Sequence, residues 1–384
     1  MKIGIITQPL LNNYGGLLQN YALQQVLISL GHEPITIDHK PRQYPFWYVW
    51  LSRVKEFVLL TLFRHKNKKQ KYSLTKEEKE IIESETKYFI DKSINHTRKC
   101  VGGDDFRAET KERGLEALVV GSDQCWRPLY NEYIEDMFLK FAETLPLKKR
   151  IAYAASFGTD DWEFPTELTK KCSELAKHFD LVTVREDSGV DLCSKFLGVE
   201  AKHVLDPTML LTKENYISLI EQYGIKESDG NLFNYILDPT KGKNDFVERV
   251  SNKLNLKSFH VLPTYNEDHR TKTQVKHEIE KCVYPSPVKW LRAFMDSKMT
   301  IVDSFHGMVF SIIFNKPFWV IGNQERGLSR FNSLLKTLGL EDRLICEKDF
   351  DNLDFLKPID WVKVNNLLQE QRNTSIHYLK VVLE

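Results

Sequence analysis

The sequence predicts an α/β protein built from two Rossmann-like domains facing a central cleft, and three observations carry that reading. Strand-like and helix-like stretches alternate through the N-terminal half, the pattern of a parallel sheet covered on both faces. The alternation breaks at "VLDPTMLL" and restarts at "NLFNYIL". Further on, "MTIVDSFHGMVFSIIFNKPFWVIG" (299–322) reads as strand, tight turn, buried helix and strand, a complete βαβ unit. A chain of 384 residues exceeds one ordinary core. Two domains are expected: 1–205, with an insertion at about 46–100, and 206–384.

In the first half, "KIGIIT" is a strand, "NNYGGLLQNYALQQVLISLG" a loop and helix, and "EPITID" another strand. "ALVVGSDQCW" and "RIAYAASFG" are strands that run into glycine-polar turns. A helix at "PTELTKKCSELAKHF", a strand at "LVTVRE", a helix at "DSGVDLCSKFLG" and a strand at "AKHVLDP" follow. The second half repeats the alternation with "NLFNYIL", "KNDFVERVSNKLN", "SFHVLP" and "SPVKWLRAFMDS" before the 299–322 unit. The C-terminal "DWVKVNNLLQEQRNTSIHYLKVVLE" reads as two helices.

Hydrophobic residues make up 42% and charged ones 28%, an ordinary balance for a globular protein. With 54 Lys and Arg against 53 acids, there is no global nucleic-acid footprint. The six cysteines have no CxxC and no short Cys/His metal spacing, which suits reduced thiols and no metal site. The N-terminus opens on a strand without a signal-peptide pattern, so a cytoplasmic protein is expected. "FWYVWLSRVKEFVLLTLF" (46–63), followed by basic "RHKNKKQK" (64–71), reads as a packing helix with a solvated turn or as an interfacial helix. The second reading would bring peripheral membrane contact at an inner face. Residues 73–93 read as a charged, exposed helix with N-terminal caps.

Candidate chemistry gathers at strand ends, because open parallel sheets bind ligands outside the carboxyl ends of their strands. Asp303, Ser304, His306 and Gly307 interrupt the apolar run at such a place. An imidazole can transfer protons near neutral pH, and the bland alternative is a satisfied core histidine. Asn13, Gly15 and Gly16 open the first helix, where backbone N–H groups favour an anion; a plain glycine-containing turn is the alternative. The spacing matches neither GxGxxG nor a Walker A loop. Ser122, Asp123 and Trp126 read as small polar groups beside a sugar-stacking ring, or as a capping turn with a packing Trp. Arg185, Arg326 and Arg330 are candidates for bidentate contact with carboxylate or phosphate, with salt bridges or surface positions as the alternative.

Six pieces in order ("NNYGGLLQNYALQ", "GSDQCW", "AYAASFG", "VTVRED", "VLDPTMLL" and "DSFHGMVFSIIF") resemble the polysaccharide pyruvyl transferases over nearly the whole chain. The resemblance implies a GT-B-like fold and transfer of pyruvate from phosphoenolpyruvate to two hydroxyls of one sugar, giving a cyclic ketal on a surface glycan. It implies phosphoenolpyruvate as co-substrate without a further cofactor, and a glycan or lipid-linked glycan as acceptor. His306 would be the acid, with Asp303 or Asp123 as base or as the group orienting the imidazole. Some members carry arginine two residues before the histidine, where this chain has Ser304, so Arg185, Arg326 and Arg330 become the candidates for the donor's arginine. A nucleotide-sugar glycosyltransferase and a non-catalytic glycan-binding relative are the rival readings.

Overall fold

The computed structural model describes residues 1–40, 72–266, 270–322 and 327–384. The expected 46–63 helix, the basic 64–71 turn and Arg326 lie outside the described residues.

Eleven strands among the described residues form two sheets, and every pairing between them is parallel. The first contains β1 (Lys2–Ile6), β2 (Glu33–Thr36), β3 (Ala117–Val120), β4 (Lys149–Ala155), β5 (Leu181–Val184) and β6 (Lys202–His203). Its spatial order is β2-β1-β3-β4-β5-β6. The second contains β7 (Leu232–Tyr235), β8 (Ser258–Phe259), β9 (Met299–Val302), β10 (Phe318–Ile321) and β11 (Leu344–Ile345), in the order β11-β10-β9-β7-β8. Numbered from its own first strand, each sheet starts 2-1-3, so each reverses direction once. The reversals lie between β1 and β3, and between β7 and β9. In a doubly wound sheet that reversal opens a crevice at the strands' carboxyl ends, because the two flanking connections leave on opposite faces. The protein is thus two Rossmann-like halves in a GT-B-like arrangement.

The central strands are largely apolar because both of their faces are covered; β3, β9 and β10 are buried at every position. The Tyr14–Ser29 helix lies between the halves and buries eleven of its residues, polar ones among them. Gln19 Nε2 donates to Thr7 Oγ1 at 2.9 Å and Gln24 Nε2 to Thr36 Oγ1 at 2.8 Å, so the burial leaves these amides bonded. One hydrophobic cluster runs from Ile3 and Val119 through Leu17 and Trp290 to Phe310 and Leu379, joining both sheets.

The C-terminus forms one helix, Trp361–Leu383, where two were expected. It returns to the first half, where Ser375 Oγ accepts from Leu205 N at 3.1 Å, and Arg372 Nε donates to Met209 O at 2.8 Å in the connection that follows β6. Residues 206–384 therefore include an element seated on the N-terminal half. The expected 73–93 helix is two helices, Lys76–Ile82 and Ser84–Ser93, the first opened by a capping box between Thr75 and Glu78. It is not wholly exposed, because Ile82, Phe89 and Ile90 are buried. No helix among the described residues is long and apolar enough to cross a membrane.

Candidate active site

Both reversals open into one cavity of about 180 Å³. From the first half it is lined by Asn13, Gly15, Asp123, Gln124 and Tyr130. From the second, Tyr235 and Leu237 follow β7, and Asp303 to His306 follow β9. Trp290, Arg330 and Phe331 complete the wall.

His306 stands in the first turn of the Phe305–Ile313 helix, whose N-cap is Ser304. Ser304 Oγ accepts from Gly307 N at 3.1 Å and so pairs one free N–H group of the first turn, while those of Phe305 and His306 have no intrahelical partner. A Cβ at Gly307 would come within 2.9 Å of Val302 Cβ, so glycine here lets the helix pack closely on β9. Gly15 has a related task. A Cβ there would lie 2.0 Å from His306 Nδ1, so the missing side chain makes room for the imidazole. Asn13 caps the first helix by accepting from Gly16 N at 3.2 Å, and its Nδ2 reaches Asp123 Oδ2 at 3.4 Å.

The other ring nitrogen of His306 points inward. Nε2 lies 3.6 Å from Asp206 Oδ2, and the Asp206 side chain is wholly buried. The same oxygen accepts from Arg185 Nη1 at 2.9 Å and from Ser122 Oγ at 3.2 Å. Asp206 Oδ1 accepts from Thr208 N at 3.0 Å and from Thr208 Oγ1 at 2.7 Å. Burial alone would raise the Asp206 pKa, but the contact with His306, the Arg185 charge and the Thr208 bond hold it well below the usual carboxylate range.

Arg185 sits within a ring of acids: Asp206, Glu186 at 3.5 Å and Asp123 at 3.5 Å, with its guanidinium over the Phe305 ring at 4.6 Å. Burial would lower its pKa, yet Glu186, Asp206 and Asp123 together push it up. Arg330 has the opposite balance. Burial and the neighbouring Arg185 charge hold its pKa below an ordinary arginine's, against the pull of Glu186 and Asp123.

A family model for polysaccharide pyruvyl transferases matches residues 13–325, which contain every lining residue except Arg330 and Phe331. The chain belongs to the polysaccharide pyruvyl transferase family. No curated protein matches this family member. Among solved structures it is similar to MurG of Acinetobacter baumannii, at 10% identity over 99% of this chain and 98% of that one, with a TM-score of 0.44. The UDP-GlcNAc 2-epimerase of Methanocaldococcus jannaschii is 10% identical over 100% and 99%, with a TM-score of 0.47. The spinosyn forosaminyltransferase SpnP is 11% identical over 99% of both chains, with a TM-score of 0.46.

Within this pyruvyl transferase fold, several residues singled out in the sequence have other work. Trp126 is no sugar platform. It is fully buried, stacks on Phe138 at 4.6 Å, and its Nε1 donates to Met137 O at 2.9 Å. Arg185 does not line the cavity, because three carboxylates and an aromatic ring enclose it. Ser122 is fully buried, sharing its hydroxyl between Ala154 O and Asp206. Asp303 lines the cavity but is engaged from behind. Its Oδ1 accepts from Leu237 N at 2.7 Å, and Oδ2 accepts from Asp238 N at 3.1 Å and Lys243 Nζ at 2.9 Å. Asp206, not Asp303, faces the imidazole. Of the residues singled out in the sequence, Asn13, Gly15, Asp123, Asp303, Ser304, His306 and Arg330 line this cavity, with Gly16 and Gly307 in the two helix starts behind it. Tyr130, Tyr235, Trp290 and Phe331 went unread; for Tyr235, the end of the restarted first strand was the available signal.

Proposed function

We propose that the chain transfers pyruvate from phosphoenolpyruvate to two hydroxyls of one sugar in a surface polysaccharide or its precursor, closing a cyclic ketal. The observation that carries this reading is the His306 imidazole standing between two helix N-termini in a small cavity lined from both sheets. The donor brings a phosphate and a carboxylate. Helix N-termini and a guanidinium are the groups that attract such anions. Arg330, whose charge is disfavoured by burial and by Arg185, gains from an arriving anion. About 180 Å³ is below the ~300–1,000 Å³ of drug-sized ligand sites, which favours a three-carbon donor over a nucleotide-sugar.

In this reading, imidazolium His306 gives a proton to the methylene carbon of the enol, and the π pair forms the new C–H bond. The electron deficiency falls on C2, where a sugar hydroxyl oxygen bonds and returns its proton to the imidazole. A second hydroxyl of the same sugar then bonds to C2 as the C2–O bond to phosphate breaks, and its proton leaves with the phosphate. The acceptor enters past Tyr130, which lines the cavity and is 47% exposed.

A screen of phosphate release tests the reading, with phosphoenolpyruvate and a panel of free and lipid-linked glycosides. Acceptor-dependent release of phosphate is the expected result. Release of nucleotide from nucleotide-sugars, with phosphoenolpyruvate untouched, would replace it with glycosyl transfer. Glycan binding without turnover would make the chain a binding protein.

A further inference from the structure

We infer that Asp206 is a positioning residue that fixes which nitrogen of His306 delivers the proton, an inference resting on the proposed role of His306. The imidazole presents its two nitrogens to different surroundings. Nδ1 lies against Gly15, and both residues line the cavity. Nε2 is buried and has no hydrogen-bond partner among the described residues within ordinary reach, but lies 3.6 Å from Asp206 Oδ2. A buried N–H next to a carboxylate keeps its proton, because losing it would leave a lone pair facing an anion. The proton on Nε2 is therefore the retained one, and Nδ1 is the atom that exchanges with substrate. The step balances within the ring: Nδ1 gives its proton to the methylene carbon, Nε2 keeps its own proton facing Asp206, and the sugar hydroxyl's proton restores Nδ1.

The carboxylate is held for such a task. Thr208 supplies N–H and O–H to one oxygen, while Ser122 and Arg185 bond the other, so the group is fixed in position and kept ionised. It is also placed to join the halves. Asp206 precedes the Pro207–Leu210 turn that leaves the first sheet, whereas His306 follows β9 of the second. The acid is thereby assembled across the cleft, with its anchor on one half and its ring on the other. Asp303, the nearer carboxylate in sequence, is held by Leu237, Asp238 and Lys243.

The test combines a substrate-free readout with kinetics. In protein labelled with 15N in its histidines, at a pH where the ring is neutral, two-bond 1H–15N correlations report the tautomer; the His306 signals are those lost in His306→Gln. Wild type is expected as the Nε2–H tautomer. Asp206→Asn, whose amide can donate to Nε2, is expected to populate Nδ1–H. With phosphoenolpyruvate and a glycoside that supports turnover, kcat of Asp206→Asn should fall about a hundredfold while the donor KM stays within about threefold. The double variant should be no slower than His306→Gln, because groups acting as a unit are not additive. An Nδ1–H tautomer in wild type, an unchanged tautomer in folded Asp206→Asn, or an additive loss in the double variant overturns the inference. Should Asp206→Asn fail to fold, Thr208→Ala loosens the same carboxylate; a kcat loss at constant KM supports the inference, and unchanged kcat sinks it. The two readings fail separately. Full activity in His306→Gln removes the acid itself, whereas inactive His306→Gln beside fully active Asp206→Asn removes only the positioning role.

Discussion

Each half of the molecule bonds a fully buried carboxylate to a buried cation near the cavity, Asp206 to Arg185 in the first and Asp303 to Lys243 in the second. Both pairs are 2.9 Å long, and both carboxylates have fully buried side chains. Asp303 is used up by scaffold: two backbone N–H groups and an ammonium take its oxygens and fix the loop after β7. Asp206 is also well bonded, but one of its oxygens still faces His306. A buried ion pair is therefore no sign of catalysis in itself. What separates the two is whether a titratable group lining the cavity shares the carboxylate.

The largest effect that could break this contrast is at the shared imidazole. His306→Gln keeps hydrogen bonding but cannot deliver a proton at neutral pH, so kcat should fall ~10²–10⁴-fold. Its melting temperature should stay near wild type, which differential scanning calorimetry on the assayed preparation would check. A melting temperature that collapses while the remaining folded enzyme turns over normally would make His306 structural.

Asp303→Asn should do the reverse. It strands the buried Lys243 ammonium, and breaking a buried pair typically costs about 3–5 kcal/mol. Denaturant unfolding should record a loss near the lower end, because the amide oxygen can keep one backbone bond. Activity per folded molecule should change far less than in His306→Gln; equal losses of kcat would put Asp303 in the chemistry.

Arg330→Lys sharpens the contrast between the two arginines. An ammonium cannot reproduce a bidentate fork, and one charge-assisted bond is worth about 1.5–3 kcal/mol. The apparent KM for phosphoenolpyruvate should rise roughly ten- to a hundredfold. Arg185→Lys should instead appear mainly as lost stability, since that guanidinium is enclosed by acids. A KM effect confined to Arg185 would reverse the assignment.

The smallest expected effect concerns Asp136, whose carboxyl burial pushes up to about 6 despite the Lys140 charge. The folded state then binds a proton more tightly than the unfolded chain between the usual 3.8 and about 6. Stability contributed by the neutral form is complete below that window and is lost as pH rises through it. Asp136→Asn should therefore melt higher than wild type at pH 7, with the gain vanishing below about pH 4. An equal gain at both pH values would remove the ionisation from the explanation.

The sequence made the strand ends legible because glycine and small polar residues interrupt apolar runs there, as after Val120 and Val302. It left the two-residue β11 unread, since pairing with β10 defines that strand more than its own residues do. The C-terminal segment reads as two helices in the sequence, but Ser375 Oγ accepts from Leu205 N and the helix runs unbroken from Trp361 to Leu383. His306 could be found because an imidazole is conspicuous in an apolar segment. Asp206 could not be joined to it, since the two are a hundred residues apart and meet only when the sheets face each other. Trp126 misled for a related reason: a ring beyond a strand end can face the cleft or the core, and only packing on Phe138 decides.

The origin of the new methyl group tests the central claim most directly. If His306 protonates the enol carbon, a reaction run in D2O must place one solvent deuterium on that carbon, because the imidazole proton exchanges with solvent. Proton and carbon NMR of the purified product should show a ketal carbon bearing a CH2D group, with one phosphate released per ketal. A product whose pyruvate-derived methyl carries no deuterium, or a new glycosidic bond with no ketal carbon, would contradict the account.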